Sequence, residues 1–530
     1  MNGGKRLLAT LLAIFMLLAG AGCGQQPAPA SSAQDTTYTI GDPTGDYGFP
    51  SPFAHYSRGP GYVRMSMIFD TLLWKDANGY VPALADSWEY LAAENAYIFQ
   101  LNNKALWHDN RKVTVDDVVF TFEYLKKYPY QTSNLSMIKS VQAAGNNAVK
   151  ISLSRVHAPF LDQVAGTIPI LPQHIWQNVT DPAQFRQKEA LIGSGPFQLA
   201  DYNKEQGSYL YQPFASYYQG KPKFNQIKFV KMSTEMAAAA LKQKQIDMAQ
   251  IPAELVKPLE QSGLKILTMP HDWVAKLMIN HQKDPLASIE FRQALACAID
   301  RQALIDTTLR GQGLKGSPGL LPFDNEWYNP ALDNVYKYSP EAAATLLSKL
   351  GYSKRGSYWE KNGTILELEL LVSPGSGLAG SPGERQGEFV KSQLEQLGIK
   401  VNLRALEGKT LDSLINDGKY DLAINGHGGL GSDPDYLTSI ITGKSFQSAK
   451  YQTNDKLNKL LAQQASTMDK HLRKELFNQI QSEFANAVPA LPLYYPTWYY
   501  AHSNKTTLFF TKQGLGSGAP IPLNKMSFVK

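Results

Sequence analysis

The side chains able to bind or react fall in a few stretches of the chain, and none of these stretches is arranged for covalent catalysis. The histidines (55, 108, 157, 174, 271, 281, 427, 471 and 502) include no pair at the spacing that sets two metal ligands on one helix face. Gly193-Ser194-Gly195-Pro196-Phe197 carries a serine between glycines, but its spacing is G-S-G and not the G-x-S-x-G of a nucleophile elbow. Residues 373–383 are glycine-rich, yet they lack the lysine and spacing of a phosphate loop and read as a mobile surface loop. Cys297 reads as a small buried apolar residue. What remains is the chemistry of reversible binding. Residues 421–437, DLAINGHGGLGSDPDYL, form a glycine-rich loop holding His427, Gly429, Leu430 and Asp433. Histidine is a common metal ligand. His427 has no companion in residues 438–450, so it reads as a loop residue with or without an organic ligand, and neither a metal site nor a cofactor is expected. Asp433 reads as a turn cap or a ligand contact. Tyr494, Tyr495 and Trp498, in PALPLYYPTWYY, wall a cleft or fill a core. Tyr130 lies in a loop over residues 126–134.

These residues need elements to position them. Tyr97, Phe99 and Leu101 alternate with Ile98 and Gln100, which predicts a strand. After a polar turn at 108–112, Thr114 and Asp117 have the spacing of a capping box. Val113 and Val118 can staple that helix start, and Val118, Phe122 and Leu125 then share a face. Strands are expected at 148–153 and 273–280, and helices at 236–251 and 288–300. Ser339 caps a helix that has Pro340 in its first turn and Gly351 as its stop. Leu366, Leu368 and Leu370 alternate with glutamates in a strand. A helix at 384–397 ends at Gly398 before a strand at 399–403, and residues 420–424 make another strand.

The order and wording of these blocks resemble the family 5 solute-binding proteins of ABC importers, the peptide and nickel class. The resemblance rests on Phe69-Asp70-Thr71-Leu72, on Pro82 to Trp88 (PALADSW), on Trp107-His108-Asp109-Asn110, and on Val113 to Val118. Asn110 stands where that family has glycine, and asparagine tolerates left-handed backbone. Ile168-Pro169-Ile170, the Gly193 to Phe197 turn, Arg292, Ala294-Leu295, Ala298-Ile299-Asp300-Arg301 and Asp433-Pro434-Asp435 extend the likeness over the mature chain. In the Gly193 turn, glycine would serve unusual backbone angles.

The resemblance implies an α/β fold of the periplasmic-binding-protein type (class II, cluster C), with two hinged lobes and an extra domain. It places a discontinuous lobe at 37–60, 190–285 and 488–530, the extra domain at 61–189 and the second lobe at 286–487. It implies ligand capture between lobes that close on the ligand. It also implies delivery to a membrane permease driven by a separate ATPase, since this chain has no P-loop. The implied ligand is a peptide or, alternatively, a nickel or other metal chelate; a sensing role on the same fold is a further alternative, and no enzyme activity is expected. The family's cleft lies near residues 42–60, which makes Tyr47, His55, Tyr56 and Arg58 candidates, and it places a ligand-facing aromatic near Trp273. With Tyr130, His427, Gly429, Leu430, Asp433 and Trp498 these form the candidate set. In peptide-binding members an acid four residues before the proline of the D-P turn pairs with the peptide ammonium. Here that position is Leu430, so an ammonium must find its carboxylate elsewhere, Asp433 and Asp435 being nearby.

Lys5 and Arg6, an apolar run at 7–19 and Gly20-Ala21-Gly22-Cys23 read as a lipoprotein signal, with Gly20 where leucine is usual. Cys23 is the expected lipidation site, residues 1–22 the signal and 23–36 a flexible tether. The protein is therefore expected outside the cytoplasm, lipid-anchored to the outer face of the cell membrane. Net charge is +6, and residues 1–22 carry two of the bases and no acid, which leaves about +4. Neither a basic run with interleaved aromatics nor an acidic tail is present, and no nucleic-acid partner is expected.

Overall fold

A computed structural model describes residues 36–57, 59–131, 133–374, 383–442, 454–516 and 518–529. The signal segment with Cys23, the 24–35 portion of the tether, Arg58, most of the 373–383 loop and residues 443–453 lie outside the described residues. Residues Thr37–Lys530 form one unit.

Three larger sheets organise it. The first has seven strands in the order Lys265–Thr268, Tyr499–His502, Met248–Ile251, Thr37–Asp42, Gln226–Lys231, Ser208–Pro213 and Phe197–Asn203. Thr37–Asp42 runs parallel to both of its neighbours, and the outer pairs are antiparallel. The second has six strands in the order Gly313–Lys315, Ala490–Pro496, Val274–Ile279, Leu422–His427, Glu367–Val372 and Lys400–Ala405. Val274–Ile279 and Ala490–Pro496 are buried at every position, as central strands covered on both faces must be. Ala85–Leu91, Ala96–Leu101, Ala148–Leu153 and Ile138–Ala144 make a four-stranded antiparallel sheet. The helix Val115–Lys127 packs on it through the buried Val118, Phe122 and Leu125, and its capping box forms as its sequence requires.

Other elements show where local signals suffice and where they do not. Asn110 takes φ +66° in its turn, and Gly398 ends the helix Glu384–Leu397 at φ +101°. Ser339 caps Pro340–Lys349. The helix expected over 236–251 is instead Thr234–Lys242, a turn with Lys244 at φ +58°, and the strand Met248–Ile251. The helix expected through 288–300 breaks at Ile299, because the Asp300 carboxylate accepts from the amides of Gln302 and Ala303 and starts a second helix, Arg301–Leu309. Gly193 and Gly195 are not left-handed. A Cβ on Gly193 would stand 2.0 Å from the Ile68 carbonyl oxygen, so glycine is needed there for close backbone approach.

The C-terminus closes over residues 69–75. Lys525 is ion-paired with Asp70 in the interior, and Trp74 Nε1 donates to Asn524 Oδ1 at 2.9 Å. The chain passes between the two large sheets at residues 269–273 and again at residues 497–498. Val274–Ile279 and Ala490–Pro496, within the residues expected for the first lobe, are therefore hydrogen-bonded into the sheet of the second.

Candidate ligand-binding site

The two crossovers run side by side and are tied together. Met269 N donates to the Trp498 carbonyl at 2.8 Å. His271 Nε2 lies 2.9 Å from Thr497 Oγ1, while its Nδ1 lies 2.8 Å from Asp324 Oδ2. Trp273 and Trp498, one on each crossover, bring their rings to 5.7 Å at 46°. Both indoles are half-buried. Trp273 rests on the strand Leu422–His427 at Gly426, where a Cβ would fall 2.0 Å from its Cη2. Any larger residue at 426 would displace the ring.

Beyond that strand the glycine-rich loop folds back on the first crossover. Gly429 adopts φ +89° beneath the Tyr436 ring. Leu430 turns into an apolar cluster with Trp327, Leu437, Ile440 and Phe477. Its amide donates to the Asp272 carbonyl at 3.1 Å, and its carbonyl accepts from Asn325 Nδ2 at 2.8 Å. Asp433 accepts the Asp435 amide at 2.9 Å, as a turn cap does. It also holds Arg473 with both oxygens, at 2.7 and 2.6 Å, in the interior. Burial raises the Asp433 pKa and the Arg473 guanidinium lowers it, with a net upward direction. The Asp433 amide reaches Asp162 Oδ2 at 3.4 Å, and Asp162 is paired with Lys75 at 2.8 Å. Gln163 Nε2 donates to Asp435 at 2.8 Å. The D-P turn is thus tied to the segment before Gly166 by amide-to-carboxylate hydrogen bonds, and Asp433 is the structural ion-pair partner of Arg473.

His427 ends its strand fully buried. Its Nδ1 lies 2.9 Å from the Gly428 carbonyl, and its Nε2 has no hydrogen-bond partner among the described residues. Burial first, and the Lys276 charge second, push its pKa well below the usual imidazole value. Lys276, also buried, is lowered to about 7 by desolvation. Among the described residues no three His, Cys, Asp or Glu side chains gather as a metal site.

Two further candidates sit away from the crossovers. Tyr56 is 46% exposed and donates to Asp46 Oδ2 at 2.9 Å, sharing that carboxylate with Tyr202. Tyr130 is buried, with its hydroxyl 3.0 Å from His55 Nε2 and its ring against Phe53. Trp273, Trp498, His427, Gly429 and Leu430 are brought together. Sequence reasoning missed Asp272, Tyr436 and Tyr500, which lie around the same joint; Asp272 was adjacent to a named residue, but only the fold reveals its surroundings. A cavity of about 490 Å³ lined by Pro285, Tyr352, Lys361 and Glu367 opens at the opposite end of the six-stranded sheet.

Two sheet-centred lobes, joined by paired crossovers with aromatic rings at the joint, define a two-lobed binding protein. The chain belongs to the bacterial extracellular solute-binding proteins, family 5, whose middle region matches residues 79–449. These are substrate-binding proteins of transport, extracytoplasmic by family. The Escherichia coli dipeptide-binding protein is 26% identical over 79% of this chain and 81% of its own length. The Campylobacter jejuni protein NikZ, solved with Ni(L-His), shares the fold at TM-score 0.75 and 22% identity, covering 94% of this chain and all of its own. So does Bacillus subtilis AppA, solved with a nonapeptide, at TM-score 0.73 and 21% identity, covering 92% of this chain and 98% of its own. Among the described residues no helix is long and apolar enough to cross a membrane.

Proposed function

We propose that this protein captures a small peptide between its lobes outside the cytoplasm and hands it to an ABC permease powered by a separate ATPase, without chemical turnover. Lipid attachment at Cys23 would hold it at the outer face of the cell membrane. The observation that carries the reading is the joint itself. A ligand lying on Trp273 and Trp498 touches both crossovers and the loop over 428–431, so its binding energy depends on how the lobes are set. The peptide named for the Escherichia coli relative supports the ligand class. A nickel chelate is the second reading, favoured by the likeness to NikZ and by the buried His427 Nε2, which has no hydrogen-bond partner among the described residues. Native mass spectrometry of the protein purified from its own host, with metal analysis of the same sample, separates them. A retained series of peptide masses is the expected result. A single mass with stoichiometric nickel would replace it with metal-chelate uptake, and His427 would be the first residue to substitute.

A further inference from the structure

Asp272 is only 3% exposed, and it sits on the first crossover between the lobes. Its Oδ1 has no hydrogen-bond partner among the described residues. Two glycines of the loop cup the carboxylate: a Cβ on Gly431 would lie 3.4 Å from Oδ2, and one on Gly428 3.9 Å from Oδ1. Two phenols, Tyr436 and Tyr500, are near enough to feel its charge. Burial first and the Asp272 charge second push the Tyr436 hydroxyl up to about 12. Tyr500, on a strand of the other sheet, is raised by burial and then by Asp42, Tyr47 and Asp272. Among the described residues no lysine, arginine or histidine forms an ion pair with it; buried Asp70, Asp162, Asp247 and Asp433 each have one, and buried Asp117 has both oxygens hydrogen-bonded instead.

A dry carboxylate with no cation is costly to keep, and such groups concentrate at sites where a ligand supplies what is missing. The loop's other acids are engaged: Asp433 is committed to Arg473, Asp421 pairs with Lys283, and Asp435 accepts hydrogen bonds from Gln163, Thr438 and Gln464, while Leu430 is turned into the core. We propose that Asp272 is the counter-charge for a protonated amine on the captured solute. This rests on the solute-capture reading above and specifies its ligand: one that presents an ammonium at the joint, beside the indole pair. An ionised carboxylate only accepts hydrogen bonds and an ammonium only donates them, so the two satisfy each other. Burial raises the free Asp272 pKa well above the usual carboxylate range, and an incoming ammonium would lower it again, so binding near neutral pH releases a proton.

The test uses the full-length protein and a library of tripeptides, each with a free and an N-acetylated amine, with capture read by native mass spectrometry. Wild type is expected to prefer the free amine by about 100-fold, and Asp272→Asn to bring that ratio to within a few-fold of one. The ratio reports the charge contact and not general damage to the cleft, and circular dichroism confirms that the variant folds. Equal capture of free and acetylated peptides by wild type, or a ratio unchanged in Asp272→Asn, overturns the assignment and leaves peptide capture standing. Capture of no library member by wild type overturns both.

Discussion

Replacing Gly426 with alanine tests how tightly Trp273 is packed at the joint. The new Cβ would lie 2.0 Å from Trp273 Cη2, 2.3 Å from Cζ2 and 2.6 Å from the Val274 carbonyl oxygen. Carbon contacts are comfortable near 3.5 Å, so the indole must retreat by about 1.5 Å, away from the strand. The Val274 carbonyl is backbone of an adjacent paired strand and has little room to move. Overpacking of this kind costs about 1–3 kcal/mol. Urea unfolding of Gly426→Ala, Trp273→Ala and the double variant isolates the contact. If the ring is the main obstacle, the alanine at 426 should be far less costly once Trp273 is truncated, with a coupling of about 1 kcal/mol or more. Additivity within about 0.5 kcal/mol would refute the reasoning, because it would mean that the strand, and not the indole, forbids a side chain at 426.

Other substitutions probe the frame around the joint. Arg473→Met leaves Asp433 buried without its cation and near Asp162, and should cost about 3–5 kcal/mol in urea unfolding, whereas exposed pairs such as Lys126–Glu123 should matter little. His55, buried against Tyr130, has its pKa lowered by burial to about 4. The unfolded chain therefore binds the extra proton first, and stability should fall as pH drops from about 6.5 to about 4; His55→Asn should flatten that part of a melting-temperature profile. Asp272 acts in the opposite sense. Its folded pKa is raised, so it costs stability as pH rises above its unfolded value, and unliganded Asp272→Asn should be more stable than wild type at neutral pH. Asn110→Ala should cost about 1 kcal/mol in thermal unfolding and Asn110→Gly almost nothing, because φ +66° penalises a Cβ without asparagine's local hydrogen bonding.

What the sequence determined by itself was whatever depends on neighbours within one helical turn. The Thr114–Asp117 capping box, the Ser339 cap with Pro340, the left-handed Asn110 and the Gly398 stop all follow from side chains a few positions apart. The block order around Pro82–Trp88 and Arg292–Arg301 pointed to the family for the same reason: each block is a local packing solution. Local signals can still compete: the aspartate that closes the 288–300 pattern, Asp300, stands before Arg301-Gln302-Ala303 and caps the next helix.

Tertiary structure decided the rest, because the deciding partner is distant in the chain. No local pattern tells that Val274–Ile279 pairs with Leu422–His427 and Ala490–Pro496 and so belongs to the second sheet. Gly193 is required by the close approach of the Ile68 carbonyl, a neighbour 125 positions away that no local pattern shows. Asp433 became the partner of Arg473, and Leu430 a core residue, only when the helix Lys470–Ala487 packed beneath the loop. Trp273 and Trp498, 225 positions apart in the sequence, meet because two crossovers must lie side by side to join two sheets. Burial and charge pairing are properties of a closed three-dimensional neighbourhood, so an aspartate such as Asp272 acquires its character only when the whole joint is assembled.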